Sequence, residues 1–256
     1  MKRLTGDFQY VVAMLALLLI WQLASVLRFV DPNFFPPPTE VFATLWEMLV
    51  SGALWPDTWV TLQRVALSFL IGVVPGVALG LLMGWVRLAR LVLDPVITVI
   101  YPIPRIAILP LFLVILGLGS APVIAITALI GFFPAAMTTY TGVSGLDKNL
   151  PLMAKNLGAG WWQVMLRIAV PSSLPVMLAG LRLALGVALT GLVAAEFVAS
   201  QEGLGAQIWR FWQLYRLTEM WAYILVVSFI GIVLQFGLIA LQRKLLAWEE
   251  EVDLLR

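Results

Sequence analysis

Long uncharged apolar stretches separated by short polar segments set the pattern of this chain. A helix needs roughly 20 apolar residues to cross about 30 Å of hydrocarbon. The first such stretch runs from Phe8 to Leu27 and the second from Val65 to Val86. One uncharged run, Ile106 to Leu146, is twice too long for a single crossing and breaks at Gly117-Leu118-Gly119-Ser120-Ala121-Pro122. It yields a third and a fourth crossing, the third beginning upstream near Pro95. The fifth covers Leu174 to Val198 with Arg182 and Glu196 inside it, and the sixth covers Met220 to Gln242. Only helices and closed barrels satisfy every backbone group within lipid, and the pattern is helical. The expected fold is therefore all-α, with six transmembrane helices in a single domain of residues 1–256. Residues 58–243 form its core, and 1–57 supply the first helix and an outside amphipathic segment.

Composition agrees. Hydrophobic residues are 62% of the 256 and charged residues 12%, against about 25% charged in a soluble domain. There is no cysteine and no histidine, which removes disulfides, zinc sites of the usual kind and any Ser/His or Cys/His catalytic pair. The net charge of +2 is spread along the chain and leaves no footprint for nucleic acid. Lys2 and Arg3 precede an apolar run longer than a signal-peptide core, so an uncleaved anchor is expected. Lysine and arginine favour the cytoplasmic side. Placing both termini there puts Lys2, Arg3, Arg87, Arg90, Lys148, Lys155, Arg167, Arg243, Lys244 and Arg256 inside and leaves Arg28, Arg64, Arg210 and Arg216 outside.

Outside, Thr39 is expected to cap a short amphipathic helix with Val41, Phe42, Leu45, Trp46 and Leu49 on its apolar side, lying on the bilayer. Trp209, Phe211, Trp212 and Tyr215, in the second outside segment, suit a headgroup boundary. Within the second crossing Gly72, Gly76, Gly80 and Gly84 form a stripe that lets another helix approach closely, most simply inside the same subunit. Three charges at membrane depth are candidate functional groups. Arg105 stands in "YPIPRIAILP", where Pro102, Pro104 and Pro110 break the helix and open a cavity to which an anion is suited. Arg182 and Glu196 lie on nearly one face of the fifth crossing but about 21 Å apart, too far to pair. Each of the three also has a plain reading, as half of a structural ion pair between helices or as a side chain snorkelling to the interface. The candidate solute pathway is Tyr101, Pro102, Arg105 and Glu196.

Between the fourth and fifth crossings lies an inside segment, Gly142 to Ser173. Asp147 can cap a helix whose apolar positions Leu150, Met153, Ala154 and Leu157 recur at helical spacing, with Gly158 as its stop. A short helix projecting from a membrane bundle suits the groove of a soluble partner.

These residues resemble the permease subunits of bacterial ABC importers, whose cytoplasmic loop carries the motif E-A-A-x3-G-x9-I-x-L-P. Ala154, Gly158, Ile168 and Pro171 stand at its spacing; Val170 replaces the leucine, and Leu152 and Met153 replace the glutamate and first alanine. The stretches "PPPTEVFATLWEMLVSGALW", "TLQRVALSF", "PIPRIAILPLFLVILGLG", "FFPAAMTTYTGV", "LAGLRLALGVALTGLVAAEFVAS" and "GLGAQIW" are similar to the branch that imports nitrate, aliphatic sulfonates and taurine. That branch also includes importers of thiamine pyrimidine precursors and of riboflavin. The resemblance implies a type I importer permease fold in a bacterial inner membrane, a homodimer, and two cytoplasmic ATPase subunits. A coupling segment comprising Leu152, Met153, Ala154, Lys155, Gly158, Ala159 and Pro171 receives them, and a periplasmic or lipid-anchored binding protein delivers solute. No G-x4-G-K-[ST] loop occurs, so the chain is not expected to be an enzyme; ATP and magnesium belong to the partner. The competing reading is a secondary transporter in which Arg182 and Glu196 form an ion or proton relay.

Overall fold

The computed structural model describes residues 2–147 and 149–247, with side chains described from residue 12 onward. Lys148 and Arg256, both counted for orientation, lie outside the described residues, as do the side chains of Lys2 and Arg3. In chain order the helices are α1 (Lys2–Val26), α2 (Pro38–Val50), α3 (Trp55–Trp85), α4 (Arg87–Ile100), α5 (Leu109–Leu116) and α6 (Ser120–Ser144). Then come α7 (Asn149–Asn156), α8 (Trp161–Val164), α9 (Val170–Ala199), α10 (Leu204–Gln213) and α11 (Leu217–Leu245). A 3₁₀ turn, Arg105–Ile108, precedes α5, and a π turn, Met165–Ala169, precedes α9.

Among the described residues four helical stretches are long and apolar enough to cross a membrane: α3, α6, Trp161–Ala199 and α11. The pair formed by α4 and Arg105–Leu116, bent by 83°, passes the same test only when its two pieces are taken together, as one broken span. The expected first crossing, Phe8 to Leu27, falls on α1, of which Val12–Val26 qualifies only as a shorter apolar helix. By length and composition the described residues thus give four crossings, or five with the bent pair counted as one, rather than six; the upstream side chains of α1 are not among them.

The centre of the molecule is α6, packed between α3 on one side and α9 on the other. The glycine stripe makes the first contact possible. A methyl group at Gly72 or Gly80 would run into the carbonyl oxygens of Ala128 and Ala136, and one at Gly76 would sit 2.6 Å from that of Phe132. With no hydrophobic drive between helices in lipid, this close approach supplies dispersion contacts that bulkier residues would forbid. The stripe is therefore spent inside one subunit, on the α3–α6 contact. On the opposite side of α6, Gly180 and Gly191 of α9 receive Thr138 and Ile130. Val123, Ile126, Ile130, Leu185 and Leu192 fill the space between them.

Several boundaries differ from expectation for identifiable reasons. Helix α3 begins at Trp55, well upstream of Val65, with Pro56 in its first turn where a missing N–H is harmless. Thr61 and Arg64 consequently lie within the helix, at 0% and 2% exposure. The third crossing starts at Arg87 rather than near Pro95, and Pro102 and Pro104 turn it sharply. The break at 117–122 falls where expected: Gly117 and Gly119 hold φ of 75° and 121°, which glycine adopts at little cost. In α2, Pro38 opens the helix and Pro37 is the cap; Thr39 instead accepts a hydrogen bond from Gln22. The helix also docks on protein. Val41 is fully buried and Leu45 packs against the α10–α11 cluster, whereas Phe42, Trp46 and Leu49 remain exposed. The outer aromatics divide likewise, with Trp209, Trp212 and Tyr215 exposed and Phe211 packed on Tyr223.

Candidate functional site

Three places collect the residues that the sequence singles out. The first is the segment around α7. The Asp147 carboxylate accepts the Asn149 N–H at 2.9 Å, capping the helix. At the other end the Ala159 N–H reaches the Ala154 carbonyl and the Gly158 N–H reaches that of Lys155, while Gly158 adopts φ 86°. This is the left-handed stop that favours glycine. Leu152, Met153 and Leu157 are 57%, 62% and 88% exposed. Gly158, Ala159 and Ile168 meet in one recess of about 370 Å³, closed by Leu157, Gln163 and Arg167. Pro171 then opens α9. It has no N–H for the ladder, and the preceding π turn lets the Val170 N–H reach back five residues to Met165. Trp161 stacks edge-on against Trp85, which ties this segment to the inner end of α3.

The second place is the bend before α5. The Arg105 guanidinium lies 4.8 Å from the Tyr101 ring centre and 4.9 Å from that of Phe133, a cation held between two aromatic faces. One of its amino groups donates to the Tyr101 carbonyl at 2.9 Å, while Nε is buried without a partner. Tyr101 and Pro102 are exposed and Arg105 is half-buried. The geometry thus brings together three of the four candidate pathway residues and gives the cation no acidic neighbour among the described residues.

Glu196, the fourth, is elsewhere. Its side chain is fully buried at the outer end of α9, with Oε1 2.6 Å from Arg64 Nη1. Thr61 Oγ1 donates to the same carboxylate at 3.1 Å, and the Gly205 N–H donates to Oε2 at 2.8 Å. Arg64 also donates to the hydroxyls of Ser120 and Ser200 and to the Glu202 carbonyl. Asp57, one helical repeat outward, accepts the Gly203 N–H. Every guanidinium N–H of Arg64 has an acceptor and both carboxylate oxygens of Glu196 have donors, the condition under which burying both charges is tolerable. Glu196 therefore joins α3, α6, α9 and α10 at the outer face, and it shares no contact with Tyr101 or Arg105. Arg64 went unrecognised as its partner although a signal existed. The expected topology puts both residues at the outer ends of their helices. Arg182 lies on α9 beside Gln235 of α11, unpaired among the described residues. No cluster of three acidic side chains that could hold a metal gathers among the described residues.

Comparison with known proteins fits this arrangement. Residues 76–247 match the model of the family described as the binding-protein-dependent transport system inner membrane component. The chain is 32% identical to a Bacillus subtilis (strain 168) protein named for aliphatic sulfonates transport, the permease SsuC, over 91% of this chain and 85% of that one. It is 34% identical to the taurine transport system permease protein TauC of Escherichia coli (strain K12), over 93% and 88%. A chain of the MetNI methionine ABC transporter, solved in an inward facing conformation, shares the fold at a TM-score of 0.65 and 20% identity, over 76% of this chain and 98% of that one. The chain belongs to the binding-protein-dependent transport system inner membrane component family: it is the multi-pass inner-membrane permease subunit of an ABC importer for small solutes, partnered by ATPase subunits, in which hydrolysis takes place, and by a binding protein.

Proposed function

We propose that two copies of this permease carry a small oxyanion, such as a sulfonate, taurine or nitrate, inward by alternating access. Two ATPase subunits grip one α7 each, a binding protein loads the outer face, and both termini lie in the cytoplasm. The observation that carries the coupling is α7 itself. It exposes Leu152 and Met153 on a capped helix only eight residues long, with Leu157 exposed just past its end before the Gly158 stop. Apolar side chains held out on so short and rigid a lever suit a groove on a soluble partner. Lys155 is exposed beside them and supplies the segment's basic charge. Nucleotide and magnesium stay in the ATPase, and this chain contributes the lever and the gate.

Two features support the oxyanion. The chain is similar to permeases named for sulfonates and taurine. Arg105 also keeps its positive charge uncompensated at a bend in the membrane, with Tyr101 and Pro102 exposed beside it. A cation there raises the local concentration of anions.

The test is reconstitution of permease, ATPase and loaded binding protein in proteoliposomes. ATP-dependent accumulation of taurine or methanesulfonate is expected, and uptake of neither solute would overturn the oxyanion assignment. In the same preparation Gly158→Val should uncouple hydrolysis from uptake. A Cβ at Gly158 meets nothing of this chain within 4 Å, so within the subunit the change acts through the left-handed backbone, at a cost of about 1–2 kcal/mol. Uptake that still tracks hydrolysis in that variant would remove α7 from the coupling path.

A further inference from the structure

Arg182 has no place in any of the three clusters described above. It sits 12 residues into α9, or about 18 Å along the helix axis from Val170, which is well inside the apolar zone. Among the described residues two ion pairs form, Arg64 with Glu196 and Arg216 with Glu219, and Arg182 is in neither. A bare guanidinium facing lipid at such depth is costly, so a membrane arginine turns towards a partner, a cavity or the interface. The side chain borders a recess of about 460 Å³ with Ala179, Leu183, Gly186, Val187 and Gln235. A second recess, of about 370 Å³, shares Gly186 and Gln235 and is otherwise closed mainly by the apolar Leu185, Leu189, Ile232 and Phe236.

The outward face of α9 also differs in kind from that of α3. Helix α3 presents Leu67, Leu70, Ile71 and Val74, all 45% exposed or more, as lipid requires. Helix α9 presents Arg182, then Gly186 and Thr190 at four-residue steps, interspersed with Leu183 and Val187. Thr190 and Ser228 bond back to their own helices through the Gly186 and Ile224 carbonyls, so the polar side chains left unengaged along this face, among the described residues, are Arg182 and Gln235, set between the exposed Leu183 and Val187.

We infer that this face of α9 lines the aqueous passage of the assembled importer and that Arg182, with Gln235 beside it, is a second anion-attracting station there. The inference rests on the proposed oxyanion cargo for its purpose, but its geometry does not. Arg105 at the bend and Arg182 on α9 then stand as two cations without acids on the route. The chemistry they share is attraction of a small, strongly hydrated anion that keeps part of its water.

The chain contains no cysteine, so one introduced thiol reports one position. Gly186→Cys adds its side chain where no atom lies within 4 Å. Ala179→Cys and Thr190→Cys report the same face, and Leu70→Cys reports the outward face of α3. Each is exposed, in membranes holding the whole importer, to anionic and to cationic methanethiosulfonate reagents. The α9 thiols should react while Leu70→Cys stays inert, and the anionic reagent should be favoured about tenfold by the nearby charge. Adding Arg182→Gln should collapse that ratio towards one, and Arg182→Lys should retain it. If the α9 thiols are as inert as Leu70→Cys, or if the ratio survives Arg182→Gln, the inference fails. Absent taurine and methanesulfonate uptake with this labelling pattern intact would instead sink the oxyanion cargo and leave the passage where it is placed.

Discussion

Arg64 and Arg105 are both arginines set among apolar helices, and they are treated in opposite ways. Arg64 is 2% exposed, and its Nε and both amino groups have acceptors: Glu196, the hydroxyls of Ser120 and Ser200, and the Glu202 carbonyl. Arg105 makes one hydrogen bond, to the carbonyl of Tyr101, and rests between two rings with its Nε unpartnered. A charge whose bonding capacity is used up can only hold structure together. One held in position by aromatic faces keeps its field available for something that arrives from outside. The molecule is thereby divided between a fixed outer joint and a receptive bend beside the middle of α6.

The harshest way to break this comparison is to remove one half of the outer pair. Glu196→Ala leaves the Arg64 guanidinium buried with no counter-charge, a change that costs about 3–5 kcal/mol. The thermal midpoint of the purified subunit in detergent should fall steeply. Arg64→Met combined with Glu196→Met should recover part of the loss, because it removes the uncompensated charge but leaves the Gly205 N–H and the Glu202 carbonyl without these partners. A single replacement tolerated within about 1 kcal/mol would show that water already reaches the pair, and the contrast with Arg105 would dissolve.

A smaller effect sharpens the same point. Thr61 Oγ1 donates to Glu196 and accepts the Leu204 N–H at 2.9 Å, linking α3 to the start of α10. Thr61→Val keeps the shape and strands that amide, at a cost of about 1–3 kcal/mol. The loss should register as faster hydrogen exchange at the first turn of α10, with ATPase coupling through α7 unchanged. Equal exchange in both proteins would mean that the hydroxyl adds nothing to the joint.

The sequence was most informative where a single physical requirement dominates. A helix stripe of four glycines has few uses in lipid, and it became the α3–α6 contact. Gly117 and Gly119 break an overlong apolar run because their backbone conformations suit glycine. Gly158 ends α7 for the same reason. It was least informative where a polar residue is neutralised by one distant in the chain. Thr61 and Arg64 look like the end of a hydrophobic stretch, and they lie inside α3 only because Glu196, 132 positions away from Arg64, answers the charge. The same blindness placed Glu196 on the solute path. For α2, helical periodicity put Val41 and Phe42 on one face, and packing against α11 separated them, since a short helix wedged on a neighbour buries only a narrow stripe.

The smallest expected stability effect belongs to Arg105, and it is also the most selective in function. Truncation by Arg105→Ala removes a cation resting on the rings of Tyr101 and Phe133, which is worth about 0.5–1 kcal/mol at a half-exposed site. No acid is left unpaired, because no acid was paired, and the folded protein should tolerate the change. Transport should not. An anion crossing the bend loses the one positive field at that level, whereas a neutral solute loses only a side chain's volume. Uptake of methanesulfonate should therefore drop well below wild type, and Arg105→Lys, which keeps the charge but not the flat stacking surface, should restore it in part. If Lys rescues stability but not uptake, the planar geometry rather than the charge guides the solute. If Ala destabilises the subunit as much as Glu196→Ala does, Arg105 is a structural residue like Arg64, and the bend is a joint rather than a doorway.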